Sequence, residues 1–181
     1  MQTTRIRAST IATVVALSFV APAPATDQLQ DAVRLDGQDR VMMECPLNPL
    51  LARLKVPEFE WQTTSNWKGY IAGWEVKDGS LLLVAFEARR DGRPVPVESF
   101  LPGKKLPVAA DWYTGRVRIP VGKPKEAGGG YWGATFERVI VLHIEKGKVV
   151  KMEELKNARI KTSTEERAER EKKDRPDPKK D

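Results

Sequence analysis

One hairpin pattern limits what this chain can fold into more than any other feature of its sequence. Residues 66–86 read NWKGYIAGWEVKDGSLLLVAF. Asp78 and Gly79 suit the positive φ angles of a tight two-residue turn between strands. Before the turn, alternate residues such as Tyr70 and Trp74 share one strand face. After it, residues 81–86 are apolar on both faces, which is typical of a central, doubly covered strand.

Further strand and turn signals follow this hairpin. Over residues 115–121, valines and isoleucine alternate with arginines, and Pro120 predicts a sheet edge. Residues 135–144 are another apolar strand, and residues 149–152 return as its partner after a Glu-Lys-Gly-Lys turn. The sequence therefore predicts a mainly β fold with four to seven short strands. We expect a small antiparallel sheet, curled into a half-barrel or folded as a sandwich.

Residues 1–25 have the organisation of a secretory signal peptide. Arg5 and Arg7 form a basic start, residues 11–21 are an apolar run, and the APA at 23–25 supplies small residues before a cleavage site. The apolar run is shorter than the roughly 20 residues that a membrane-spanning helix needs. We expect a periplasmic or secreted bacterial protein, with no transmembrane segment after cleavage.

The rest of the chain divides into three segments. Residues 26–58 are predicted to form an N-terminal arm with a short helical segment, and residues 59–155 the β-rich domain. Residues 156–181 are rich in interleaved basic and acidic residues, with almost no apolar side chain after Ile160. Such a segment buries too little surface to offset its ordering entropy, so we expect a disordered charged tail with a weak helical preference over 164–173.

Charge gives little indication of a partner. The formal net charge is +6, and the basic residues of the tail alternate with acidic ones. Together with export, this pattern disfavours nucleic acid, and we expect no nucleic-acid partner.

Several segments resemble a group of small uncharacterised bacterial exported proteins. They are NWKGYIAGWEVKDGSLLLV, DWYTGRVRIPVGK, GGGYWGATFE and RVIVLHIEKGKVV. The shared pattern is an aromatic-x-Gly strand, an Ile-Pro-x-Gly close, a Gly-aromatic-Gly segment and a Glu-Lys-Gly hairpin, and it covers about residues 67–150. The resemblance implies one compact β-rich domain. The group has no known activity, so the resemblance assigns no catalytic residue.

The chemistry-bearing residues are sparse. His143 is the single histidine and Cys45 the single cysteine, whereas zinc sites usually gather several such ligands at close spacing. No serine lies in a Gly-x-Ser-x-Gly elbow, and an apolar strand follows the glycine-rich segment 127–133 where a phosphate loop would need a helix. We expect no metal, no cofactor and no catalytic residue. The alternative is an envelope hydrolase that uses carboxylates, such as Glu58 and Glu60, or His143.

Aromatic residues are the remaining candidates for a site. Trp74 alternates with Tyr70 and is predicted to lie in the core. Trp67 shares a face with glycines, which leaves room either for packing across the backbone or for a groove. Aromatic side chains supply much contact energy at low entropic cost. The predicted ligand contacts are therefore Trp67, Trp112, Tyr131 and Trp132.

These residues predict a non-catalytic binding or structural module of the cell envelope. Its expected partner is an envelope glycan, a peptide or another protein. A further alternative is an inhibitor or immunity-type protein that blocks a partner protein.

Overall fold

A computed structural model describes residues 28–61, 63–125 and 130–173. The predicted signal peptide at 1–25 lies outside the described residues. The protein is mainly β, as predicted, and the nine strands of these described residues form one open mixed sheet. The strands are β1 (Asp31–Leu35), β2 (Gln38–Met42), β3 (Tyr70–Lys77), β4 (Ser80–Arg90), β5 (Arg93–Pro94), β6 (Val108–Ala109), β7 (Gly115–Val121), β8 (Thr135–Glu145) and β9 (Lys148–Arg159). The helices are α1 (Asn48–Arg53), a 3-10 turn (Val97–Ser99) and α2 (Ser163–Lys173).

The main strands follow the order β2-β1-β3-β4-β9-β8-β7, and the short strands β5 and β6 pair with β4. Every pairing is antiparallel except that of β1 with β3, in which Val33 lies beside Trp74. The predicted antiparallel pairing holds for the other strand pairs, and this one parallel pair makes the sheet mixed. Because β2, α1 and a long connection lie between β1 and β3, the chain can turn around before β3, and β3 runs in the same direction as β1.

The two end strands of this sheet approach each other. The Met43 N–H, just after β2, donates to the carbonyl of Arg118 in β7 (3.0 Å). The Glu44 carboxylate accepts from the Arg118 backbone N–H (2.6 Å) and from its guanidinium group (2.6 Å). Burial raises the pKa of Glu44, and the charge of Arg118 opposes that rise. One sheet thus curls toward a half-barrel, and no second sheet packs on it among the described residues.

Tight turns with paired positive φ angles join four pairs of strands. The predicted turn at Asp78 and Gly79 has φ values of 50° and 67°. The same geometry recurs at Asp36 with Gly37, Asp91 with Gly92 and Lys146 with Gly147. These left-handed pairs match the right-handed twist of the flanking strands, which is why Asp-Gly and Lys-Gly steps occupy them.

The predicted N-terminal arm carries a hairpin as well as the short helix α1. Residues of β1 alternate between buried and exposed, and Asp31, Val33 and Leu35 point inward. The sequence pattern concealed this strand because one of its inward positions is a carboxylate. The N-terminal hairpin is consequently part of the main sheet.

Two clusters of buried side chains stabilise the sheet. The larger one contains Trp74, Leu83, Ile119 and Leu142, so the predicted core position of Trp74 is confirmed. The smaller one surrounds Phe136 and includes Met43 and Ile160.

The predicted tail begins within structured elements. β9 extends to Arg159, and α2 occupies Ser163–Lys173, where the sequence showed a helical preference. Glu166 of α2 accepts from the guanidinium groups of Arg116 (2.5 Å) and Arg118 (2.7 Å) on β7. Residues 174–181 lie outside the described residues.

Candidate functional site

Three segments of the chain converge on a groove of about 360 Å³, called here the aromatic groove. The first is α1, which contributes Asn48, Leu51 and Ala52. The second is the extended segment 55–61. The third comprises Trp67 and Lys68 just before β3 and Tyr70 at its first position.

The rim of the aromatic groove carries two exposed tryptophans. Trp61 is 69% exposed and Trp67 is 61% exposed, and both line the groove. Exposed large apolar side chains need no explanation when they occur singly, but adjacent ones mark interaction surfaces. Their shared position makes this groove the leading candidate site.

The floor of the aromatic groove is held by ring contacts and a hydrogen bond. The rings of Phe59 and Tyr70 meet edge to face, with centroids 6.1 Å apart. The Tyr70 hydroxyl donates to Asn48 Oδ1 (2.7 Å), which ties α1 to β3. Burial strongly raises the pKa of Tyr70, so its hydroxyl remains a donor.

The wall formed by residues 55–61 is held in place from two sides. Arg90 of β4 donates to the carbonyl of Pro57 (2.6 Å), and the Glu60 N–H donates to the carbonyl of Arg89 (2.9 Å). On the other side, Gly69 has a φ of +69°, and a Cβ there would lie 2.7 Å from the Phe59 carbonyl oxygen. Glycine at this position therefore lets the wall lie directly against the start of β3.

A buried polar cluster lies next to the groove. The ammonium group of Lys68, which lines the groove, pairs with the carboxylate of Asp31. The second oxygen of Asp31 accepts from Trp74 Nε1 (2.9 Å). Burial raises the pKa of Asp31, and the Lys68 charge and these hydrogen bonds counteract the rise.

Cys45 belongs to the same cluster. Its Sγ lies 3.9 Å from Lys68 Nζ. Burial, reinforced by the Asp31 carboxylate, raises the pKa of the Cys45 thiol to about 11. The thiol is consequently protonated near neutral pH, and a nucleophilic thiolate is disfavoured.

The four predicted ligand-contacting aromatics do not share one surface. Trp67 lies on the aromatic groove, while Trp112 donates through Nε1 to the carbonyl of Pro46 (2.9 Å) and lines a separate cleft. Tyr131 and Trp132 pack against the smaller core cluster, and the Tyr131 ring stacks on Phe136 at 5.7 Å.

Sequence reasoning missed Trp61 as a partner of Trp67. Only five residues separate the two indoles in the chain, and both lie in irregular segments, where strand periodicity gives no indication of their direction. Their proximity in sequence is the signal that could have identified the pair.

His143 has its own partner on the neighbouring strand. Its Nε2 lies 2.8 Å from Glu153 Oε1, and Lys151 also pairs with Glu153. Both members of the His143–Glu153 pair are partly exposed on β8 and β9. In the part of the chain that the structure describes, no three His, Cys, Asp or Glu residues are grouped so that they could hold a metal ion.

Comparison with known proteins finds no relative of this chain. No protein-family model, curated protein or solved structure matches it. Over the described residues, no helix has the length and apolar character needed to cross a membrane.

Proposed function

We propose that this protein is a non-catalytic binding module of the bacterial cell envelope, and that its aromatic groove binds an envelope glycan. The observation that carries the proposal is the exposure of Trp61 and Trp67 at the rim of one groove. The envelope location rests on the signal-peptide pattern of residues 1–25.

The energetics of the two indoles favour a flat, partly apolar ligand. A large aromatic side chain buries about 150–250 Å² when covered. Covering about 100 Å² more of each indole would contribute roughly 2.5 kcal/mol per ring at about 25 cal/mol per Å². Two such rings provide a useful share of the binding free energy, even after the entropic cost of association.

The groove also offers hydrogen-bonding groups suited to hydroxyls. Asn48, Lys55, Glu58 and Lys68 line it together with the apolar side chains. Sugar rings combine an apolar face with a hydroxyl edge, so a mixture of indole faces and polar side chains suits them. A Pro-rich peptide would use the aromatic faces but fewer of the polar groups.

The acidic content of the groove favours binding over glycoside hydrolysis. Glu58 is the single carboxylate among the described residues that line it. Glycoside hydrolysis generally uses two carboxyl groups on either side of the scissile bond. The groove provides one, which is compatible with recognition of hydroxyl groups.

Titration calorimetry with a panel of soluble envelope glycans, and with Pro-rich and unrelated peptides, tests the proposal. We expect a glycan to bind the unsubstituted protein, and Trp61→Ala and Trp67→Ala each to weaken binding about 10-fold or more. Arg34→Ala is the control, because Arg34 is exposed on β1 and does not line the groove. Binding of a peptide alone, or glycan binding that neither tryptophan substitution changes, would contradict the proposal.

A further inference from the structure

The outer edge of β9 is largely unpaired. On one side β9 pairs with β8 along nearly its whole length. On the other side it pairs with β4 only where Lys148 faces Ser80, with the Val149 N–H donating to the carbonyl of Gly79 (2.9 Å). From residue 150 to residue 159, no strand among the described residues lies on this side. Backbone donors and acceptors of alternate residues therefore face outward, as on any open strand edge.

Exposed apolar side chains coincide with this open edge. Val150 is 54% exposed, Met152 60% and Leu155 46%, and all three lie on β9. Natural proteins usually protect such an edge with lysines, bulges or a covering element. Lys151 and Lys156 are present and the register of β9 shifts at Val150, but the regular stretch 151–156 carries the exposed apolar Met152 and Leu155. An edge of this composition is suited to a strand partner.

We propose that the open edge of β9 pairs antiparallel with the same edge of a second copy of this chain, about a two-fold axis at Met152. In antiparallel pairing, two facing residues have the same hydrogen-bonding direction, so a symmetric pair of regular strands is centred on one residue. The choice of the central residue then determines which side chains face each other across the two-fold axis.

The axis at Met152 is favoured by the side chains that it brings together. Met152 faces its own copy, and Lys151 faces Glu153 on both sides of the axis. Glu154 faces Val150, where the register of β9 against β8 shifts. At the centre of the pair an apolar residue thus faces an apolar one, and the flanking charges are opposite.

The neighbouring registers are disfavoured by charge. An axis at Lys151 places two lysines face to face, and an axis at Glu153 or at Glu154 places two glutamates face to face. The axis at Glu153 also sets Lys151 against Leu155. Directly facing like charges destabilise a strand pair, so a dimer in any of these three registers should be less stable than one centred on Met152.

Sedimentation velocity of the full chain over a range of concentrations tests the association. We expect a shift from the mass of one chain, which is 20.3 kDa for all 181 residues, toward twice that mass. Lys151→Glu, which sets glutamates against glutamates, should weaken the dimer about 10-fold or more. The double variant Lys151→Glu, Glu153→Lys should restore it, because the opposite charges face each other again. Circular dichroism and thermal unfolding would check that each variant folds.

Disulfide trapping tests the register itself. Met152→Cys should form an intermolecular disulfide, because facing Cβ atoms lie about 4.5–5.5 Å apart, near the distance a disulfide needs. Glu154→Cys is the matched control, and it should not crosslink, because Glu154 faces Val150 of the other copy. A monomer at every concentration, a dimer unchanged by Lys151→Glu, or equal crosslinking of the two cysteine variants would overturn the proposal.

Discussion

The ammonium group of Lys68 pairs with the carboxylate of Asp31, which is almost wholly removed from solvent. Lys68 also lines the aromatic groove, and its ammonium lies 4.8 Å from the centre of the Tyr70 ring. One side chain therefore links the candidate binding surface to the buried polar cluster. This pair connects the irregular segment before β3 to β1.

Removal of one partner of this pair should be costly. Lys68→Met leaves the Asp31 carboxylate buried without its counter-charge, which typically costs about 3–5 kcal/mol. We expect urea denaturation to show a loss near the lower end of that range. The double variant Lys68→Met, Asp31→Asn should recover part of this loss, because the amide oxygen still accepts from Trp74.

The exposed pair between Arg34 and Asp39 is the matched control. Its Nε–Oδ1 distance is 2.8 Å, but both side chains are more than half exposed. Such pairs contribute about 0–1 kcal/mol, so Arg34→Ala should have little effect. Equal losses for Lys68→Met and Arg34→Ala would show that the buried pair does not contribute as described.

Gly69 should be intolerant of a side chain. Its φ of +69° disfavours any other residue, and a new Cβ would lie 2.7–2.9 Å from atoms of Phe59. We expect Gly69→Ala to lower the free energy of unfolding by more than the roughly 1–2 kcal/mol of the left-handed backbone alone. It should also displace the groove wall and weaken ligand binding.

Gly37→Ala separates the two contributions. Gly37 has a similar φ of +73°, but a Cβ there meets no atom within 4 Å. Thermal and denaturant unfolding of both variants should therefore show the larger loss at position 69. A loss at position 37 as large as that at position 69 would refute the close approach of Phe59.

Cys45 should react slowly with thiol reagents in the folded protein. Its pKa of about 11 compares with an ordinary value of 9.0. At pH 8 this lowers the thiolate fraction about 100-fold, and alkylation depends on the thiolate. Iodoacetamide labelling followed by mass spectrometry measures the rate.

The neighbours of Cys45 should change its labelling rate in opposite directions. Asp31 raises the pKa of Cys45 and Lys68 lowers it. Asp31→Asn should accordingly speed labelling and Lys68→Met should slow it, provided that both variants remain folded. The same direction of change in both folded variants would contradict this electrostatic explanation.

The start of α2 should weaken in acid. Glu165 accepts from the Thr162 N–H (2.8 Å) and the Glu165 N–H donates to Thr162 Oγ1 (3.3 Å), which forms a reciprocal cap. The hydrogen bond from the Thr162 backbone N–H, together with that from the Arg159 guanidinium group, lowers the pKa of Glu165 from 4.5 to about 2. Because the folded pKa is depressed, the stabilisation is present above pH 4.5 and is lost as the pH falls toward 2.

An NMR titration of the Glu165 side-chain carboxyl carbon measures this pKa. We expect the midpoint near pH 2, and Glu165→Gln should reduce the helical signal of α2 at neutral pH. Glu169→Gln is the matched control in the same helix, because the Glu169 carboxylate accepts from the ammonium group of Lys161 rather than from a backbone N–H. A midpoint at an ordinary glutamate value for Glu165 would exclude the cap.

The regular strands of the fold were predictable because the alternation of apolar residues and the turn residues between them indicate the local backbone geometry. The β3–β4 hairpin has period-two burial and an Asp-Gly turn, and β7 alternates buried apolar residues with arginines. The hairpin of β1 and β2 was missed although Asp36 and Gly37 repeat the same turn signal. Its inward-facing Asp31 broke the apolar pattern.

The candidate site was only partly predictable. Trp67 was named from its glycine neighbours, but its pairing with Trp61 depends on how the segment 55–61 approaches β3. That approach requires the missing side chain of Gly69 and the hydrogen bonds from Arg90. These contacts join segments that lie apart in the sequence, so no local pattern reports them.

Acrylamide quenching of tryptophan fluorescence, with and without a bound envelope glycan, tests the central claim most directly. Of the five tryptophans, Trp61 and Trp67 are exposed while Trp74 is buried. We predict a readily quenched fraction that the glycan protects, and that disappears in the double variant Trp61→Phe, Trp67→Phe. A quenched fraction that no glycan protects, or protection that persists in the double variant, would contradict the assignment of the aromatic groove as the binding site.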